Sequence, residues 1–185
     1  MDAWIWIVIP IAVVAVVVIA WMVARNRRSR ELREQFGPEY DRALTEEGDR
    51  RHAEGELLDR VKRHEELDIR PLPPASAQRY LGEWRDVQGR FVDAPEEALG
   101  QADALVSAVM RERGYPMDDF EQRSADISVE HPEVVEDYRA AHGISMANDQ
   151  GHASTEDLRQ AMVHYRALFE RLVEADQSSE RGVSR

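Results

Sequence analysis

The stretch STEDLRQAMVHYRALFERL, residues 154–172, decides the fold class. Leu158, Met162, Tyr165, Phe169 and Leu172 recur at steps of 4, 3, 4 and 3, which places all five on one face of a helix. Arg159, Arg166 and Arg171 flank that stripe. Ser154 followed by Asp157 forms a capping box with a shortened acid, which satisfies N–H groups that the first helical turn leaves free. A helix carrying one broad apolar stripe is stable only when other helices cover it.

The covering helices lie upstream. After Ser76, the residues Tyr80, Trp84, Val87 and Phe91 share one helix face. Asp93 is placed to cap the next helix, with Pro95, Glu96 and Glu97 in its first turn and Ala98, Ala102, Leu105 and Val109 as its stripe. Arg111 and Arg113 fall in the last turn, Gly114 is the left-handed terminator and Pro116 blocks continuation. A short amphipathic segment around Phe120, Ala125 and Ile127 precedes His131-Pro132, where Pro132 is expected to open a helix bearing Val134, Val135, Tyr138 and Ala141. Gly143 is expected to weaken or end it, and residues 148–153 to form a loop. No Asn-Gly or Asp-Gly turn joins alternating segments, so no β-hairpin is expected. The expectation is an all-α antiparallel bundle of four to five helices over 71–176, followed by a disordered tail over 177–185.

Pro71-Leu72-Pro73-Pro74 is a stiff break before the bundle. Residues 25–70 hold 12 basic and 13 acidic residues, which predicts a charged, exposed helical stalk. Gly37-Pro38 breaks it, with Pro38 suited to the first turn of a new helix. Leu57, Val61, His64 and Asp68 share a stripe, but two of them are polar, so no sustained heptad seam supports a coiled-coil dimer.

The N-terminus needs a different solvent. From Ala3 to Ala24 the chain runs 22 residues without an ionisable side chain. As a helix this spans about 33 Å, enough to cross a hydrocarbon core of about 30 Å. Trp4 and Trp6 at one end and Trp21 at the other suit the two interfaces. Arg25, Arg27, Arg28 and Arg30 follow the apolar run, and no basic region precedes it. That asymmetry contradicts a cleaved signal peptide and predicts residues 1–2 outside, a transmembrane helix over 3–24 and the remainder in the cytoplasm. The anchor residues are Trp4, Trp6, Trp21, Arg25, Arg27, Arg28 and Arg30. The resulting localisation is a bacterial inner membrane, spanned once.

Composition narrows the chemistry. A chain of 185 residues with a net charge of -12 and no cysteine has no disulfide framework, thiolate metal site or cysteine nucleophile. Its acidity argues against nucleic acid as a partner. The six histidines, His52, His64, His131, His142, His152 and His164, match neither HExxH nor a Glu-x-x-His pair, so no metal is expected. A calcium loop beginning at Asp126 would put His131 where the turn needs glycine. Phosphate-cradling glycine loops and the GxSxG elbow are absent, so no cofactor or catalytic residue is assigned. Residues 71–185 carry 12 basic and 22 acidic residues, with eight acids between Met117 and Arg139. Asp118, Asp119, Glu130 and Glu133 are therefore the candidate partner-binding residues, against the alternative of a solvated face.

The strings GPEYDRAL, FVDAPEEA, RGYPMDDFEQRSADISVEHPEVVEDYRAAH and STEDLRQAMVHYRALFERL resemble a family of uncharacterised bacterial single-pass membrane proteins with a C-terminal helical domain. The resemblance runs from the anchor to about residue 173 and implies architecture alone, with no functional residue. An Arg:Lys ratio of 23:1 independently suggests a GC-rich bacterial genome. The functional expectation is a membrane-anchored cytoplasmic module that binds other proteins. The alternatives are a helical enzyme or ligand-binding domain using His131, Tyr138, His142 or Tyr165, and an envelope structural protein.

Overall fold

The computed structural model describes the backbone of residues 5–183 and the side chains of Val16 and residues 18–173. Among the described residues it is all-α, as expected, with helices α1 Ile5–Phe36, α2 Pro38–Glu47, α3 Arg50–Glu65, α4 Pro74–Arg90, α5 Pro95–Arg113, α6 Phe120–Glu130, α7 Val135–Asp149 and α8 Thr155–Val183. The chain divides into two compact units, one up to Leu57 and one from Leu58.

In the first unit, α1 continues unbroken from the apolar run through the arginines. It ends where Gly37 takes a φ of 50°, and Pro38 opens α2. Gly48, at a φ of 66°, closes α2, which packs against α1. The expected exposed stalk is thus corrected for this part of the chain, because Leu32, Phe36, Tyr40, Ala43, Ala53 and Leu57 are buried. Leu32, Phe36, Tyr40 and Ala43 follow steps of 4, 4 and 3, a stripe that Gly37-Pro38 divides between two helices. Glu54 ties the three helices together, its carboxylate accepting from Ser29 Oγ at 2.6 Å, Tyr40 Oη at 2.9 Å and Arg50 Nε at 2.8 Å. Burial opposes its ionisation, yet the donors, Ser29 foremost, outweigh burial and hold the carboxyl below its ordinary pKa.

Among the described residues no helix is long and apolar enough to cross a membrane. Of the expected segment 3–24, residues 3 and 4 and the side chains of residues 5–15 and 17 lie outside the described ones, so Trp4 and Trp6 do as well. Trp21 is exposed, and Arg25 sits over its ring with the guanidinium carbon 5.5 Å from the centroid.

The second unit holds the bundle. All five stripe residues of 154–172 are buried, as are Ala98, Ala102, Leu105 and Val109 of α5 and Tyr80, Trp84 and Val87 of α4. Phe91 is half-buried. Trp84 stacks on Phe169 at 4.7 Å between centroids, joining α4 to α8.

Side-chain register gives the directions. Arg90 donates to Gln101 and Tyr80 to Glu112, so α4 and α5 run antiparallel. Asp137 meets His164 and Glu133 meets Arg171, which sets α7 antiparallel to α8. Tyr165 donates to Asp103 and Arg113 to the Leu172 carbonyl, so α5 and α8 run in the same direction. The wholly antiparallel bundle is corrected at this pair, because α6 and α7 intervene in sequence between α5 and α8.

The ends of helices follow local chemistry. Ser154 and Asp157 form the reciprocal capping box at α8. Gly114 closes α5 at a φ of 100°. Other boundaries differ from expectation. Ala94, not Asp93, precedes α5 and gives no side-chain cap, because alanine carries no acceptor, while Pro95 at the first position leaves one fewer N–H to satisfy. Pro132 lies in a turn before α7 begins at Val135, and Gly143 stays inside α7 at the cost of about 1 kcal/mol relative to Ala. Backbone helix extends to Val183, through most of the expected disordered tail. Adding a residue to an existing helix avoids the nucleation cost.

Candidate functional site

The second unit contains a partly buried polar cluster where three sequence segments meet. The last turns of α3 contribute Arg60, Arg63 and His64. The end of α5 and its exit contribute Arg113 and Tyr115, and α6 with the residue after it contributes Ser124, Asp126, Ser128, Glu130 and His131. Gly114 makes this possible, since its left-handed conformation turns the chain so that Tyr115 is buried at 3 % exposure directly after the helix. Asp119 starts α6 by accepting from the Gln122 N–H at 3.0 Å.

Glu130 is the centre. Its carboxylate accepts from Tyr115 Oη at 2.7 Å and lies 3.6 Å from the Arg113 guanidinium, 3.6 Å from His64 Nε2 and 3.7 Å from His131 Nε2. Arg113 also donates to the Leu172 carbonyl at 2.9 Å. Beside this group Asp126, fully buried, accepts from Gln122 at 2.9 Å and Arg63 at 3.3 Å, and Arg60 donates to Ser128 at 3.2 Å. His64 Nε2, both ring nitrogens of His131, Ser124 Oγ and Asp126 Oδ2 are buried without a hydrogen-bond partner among the described residues.

The electrostatics are set by burial. Burial raises the Tyr115 phenol pKa, and the hydrogen bond to Glu130 raises it further, so Tyr115 is a proton donor throughout the physiological range. His131 is shifted the other way. Burial comes first and the Arg113 charge second, and together they outweigh the attraction of Glu130 and Glu133. The imidazole is therefore neutral in the folded protein near pH 7, with its folded pKa below its unfolded one. Its contribution to stability is present above about pH 6.5 and is lost as pH falls toward the folded pKa, because the unfolded chain then binds more protons. The urea midpoint is expected to fall between about pH 7 and 5, and His131→Gln to reduce that fall.

Glu130 brings together the last turn of α3 through His64, the end of α5 through Arg113 and Tyr115, and its own helix α6. Glu130→Ala is expected to destabilise the unit by about 2 kcal/mol, since it leaves the buried Arg113 charge without its partner, discounted for the partial exposure of Glu130. Glu130→Gln, which keeps an acceptor for Tyr115, should lose less in the same urea titration.

The acids of the stretch 118–137 differ in their surroundings. Asp118, Asp119, Glu130 and Glu133 all reach solvent, but Asp119 caps α6, Glu130 centres the partly buried cluster and Glu133 pairs with Arg171. Asp137 holds His164 at 2.6 Å and Glu136 pairs with Arg139. Glu130, Glu133 and Asp137 join separate parts of the fold, and neutralising Glu130 and Glu133 together would remove two of these ties.

The histidine and tyrosine residues considered for an enzyme are distributed separately. His142 stacks on Phe120 at 3.8 Å, and Tyr138 lies against the same ring at 4.9 Å. Tyr165 donates to Asp103 at 2.6 Å, while His131 belongs to the Glu130 cluster. Burial raises the Tyr138 phenol to about 12 and lifts Tyr165 as well, with Asp103 adding to the latter. Neither phenolate is accessible near pH 7. Among the described residues no three histidine or acidic side chains converge to hold a metal ion.

No local spacing in the sequence points to the cluster, because its members come from 60–64, 113–115 and 124–131. The available signal was the run of small polar residues on α6, where Ser124, Asp126 and Ser128 occupy positions that a solvated face would not bury. Compared with known proteins, the chain matches no family model, no curated protein and no solved structure.

Proposed function

We propose that the chain is a single-pass membrane protein, N-terminus outside, whose helical units face the bacterial cytoplasm and bind other proteins. The observation that carries the anchor is the exposure of Val16, Val18, Ile19, Trp21, Met22 and Val23. At about 100° per residue these side chains point to all sides of α1, so no single protein face covers them, whereas a lipid environment does. The resemblance to single-pass membrane proteins points the same way. Arg25, Arg27, Arg28 and Arg30 on the cytoplasmic side set the orientation.

The acidic balance of residues 71–185 supports a role in the cytoplasm away from the bilayer. An excess of carboxylates repels the anionic inner leaflet and leaves the helical surface open to soluble partners. In this reading the Glu130 cluster is structural, holding residues 60–64 against the ends of α5 and α6.

The test is a pair of C-terminal fusions. A fluorescent reporter is expected to mature in the cytoplasm and an alkaline phosphatase to stay inactive. Neutralising the four arginines together should produce mixed orientation, seen as phosphatase activity. Active phosphatase on the unmodified chain would refute the orientation.

A further inference from the structure

The first unit contains an open hollow of about 430 Å³ lined by Trp21, Met22, Val23, Arg25, Asn26 and Arg50. Two of these residues are guanidinium groups from different helices, Arg25 on α1 and Arg50 at the start of α3. The remaining wall is largely apolar. We propose that this hollow binds one anionic phospholipid, its phosphate held between Arg25 and Arg50 and its glycerol and first acyl carbons against Trp21, Met22 and Val23. The inference rests on the anchor reading above.

Position supports this occupant. Trp21 and Arg25 are separated by about 6 Å along the helix axis, which matches the headgroup layer of about 5–7 Å on each side of the hydrocarbon core. Trp21 closes the apolar run and Arg25 opens the charged one, so the hollow straddles the boundary between acyl chains and phosphates. A guanidinium presents paired N–H donors that match phosphate oxygens, and two of them at one hollow favour a single anion over dispersed screening.

The two cations are held by the fold. The Arg25 guanidinium is set over the Trp21 ring at 5.5 Å. Glu54 accepts from Arg50 Nε at 2.8 Å, which orients that side chain while half of it remains exposed. Glu54 is also occupied by Ser29 and Tyr40, so its charge is shared among three donors. Asn26 adds an amide for the glycerol or headgroup oxygens.

The test uses the full chain in nanodiscs of phosphatidylcholine with a minority of phosphatidylglycerol, followed by native mass spectrometry of the lipids that the protein retains. The wild type is expected to keep phosphatidylglycerol in preference to phosphatidylcholine. Arg25→Gln and Arg50→Gln are each expected to reduce that preference about fivefold, the effect of removing one cation near the surface. Arg50→Lys, which keeps the charge and loses the fork, should fall between. Circular dichroism checks that each variant folds, and if Arg50→Gln does not, Arg25→Gln and Arg50→Lys decide. Equal retention of phosphatidylglycerol by the wild type and the glutamine variants would overturn the proposal. So would displacement of the lipid by millimolar inorganic phosphate, which would make the hollow a site for free anions. Failure of the wild type to enter nanodiscs would instead refute the anchor, whereas entry with no anionic preference removes only this site.

Discussion

Phe169→Ala is expected to lower the stability of the second unit by about 3–5 kcal/mol, the range for removing a large aromatic from a packed core. Phe169 is fully buried and stacks on Trp84, so truncation removes the buried ring, leaves a cavity and ends the aromatic contact between α4 and α8. A domain of this size has a stability of about 5–15 kcal/mol, so the loss is a large fraction. Chemical denaturation of the detergent-solubilised chain measures it as a lower midpoint at an unchanged slope. Val163→Ala is the control. Val163 occupies the same helix but is 55 % exposed, and its truncation should change stability by less than about 0.5 kcal/mol.

Gly114→Ala is expected to cost about 2–5 kcal/mol, from two separate causes. The backbone at φ 100° is strained for any residue with a Cβ, which contributes about 1–2 kcal/mol. A Cβ built on Gly114 would also lie 2.3 Å from the carbonyl oxygen of Asp68, so the chain around Asp68 and Ile69 must move. That segment is already pinned by the Arg70 N–H, which donates to the Arg113 carbonyl at 2.8 Å. Overpacking against backbone adds about 1–3 kcal/mol. Gly114→Asn separates the causes, because asparagine tolerates left-handed backbone but retains the Cβ. An asparagine variant as unstable as the alanine one identifies the contact with Asp68 as dominant, and recovery identifies the backbone angle.

The elements that sequence made legible are those in which one periodic stripe meets one solvent boundary. Leu158 to Leu172 and Ala98 to Val109 are of this kind, and their buried faces match expectation residue by residue. Gly114 and Pro38 were legible for a related reason, since each has a backbone preference that few other residues share. The compact first unit was not. Its stripe crosses the Gly37-Pro38 break, and its main polar tie joins Ser29, Tyr40, Arg50 and Glu54 across three helices, which no spacing rule connects.

The same difficulty explains the acidic stretch. Composition counts eight acids between Met117 and Arg139 but does not distinguish Glu121, which is exposed, from Asp126, which is fully buried. The partners of Asp126 and Glu130 come from α3 and the end of α5, so their roles depend on tertiary contacts. The parallel pairing of α5 and α8 has the same origin, because periodicity gives each helix its face and says nothing about its direction relative to a distant neighbour.

The central claim, a single crossing with the helical units inside, is tested most directly by thiol accessibility, and the absence of cysteine makes the chain suited to it. Single substitutions Asp2→Cys and Gln150→Cys are introduced separately, Gln150 being exposed in the connection between α7 and α8. Intact cells stripped of their outer layers are then treated with a membrane-impermeant maleimide. The account predicts labelling of the Asp2→Cys protein in intact cells, and of the Gln150→Cys protein only after the membrane is opened. Labelling of the Gln150→Cys protein in intact cells would contradict it.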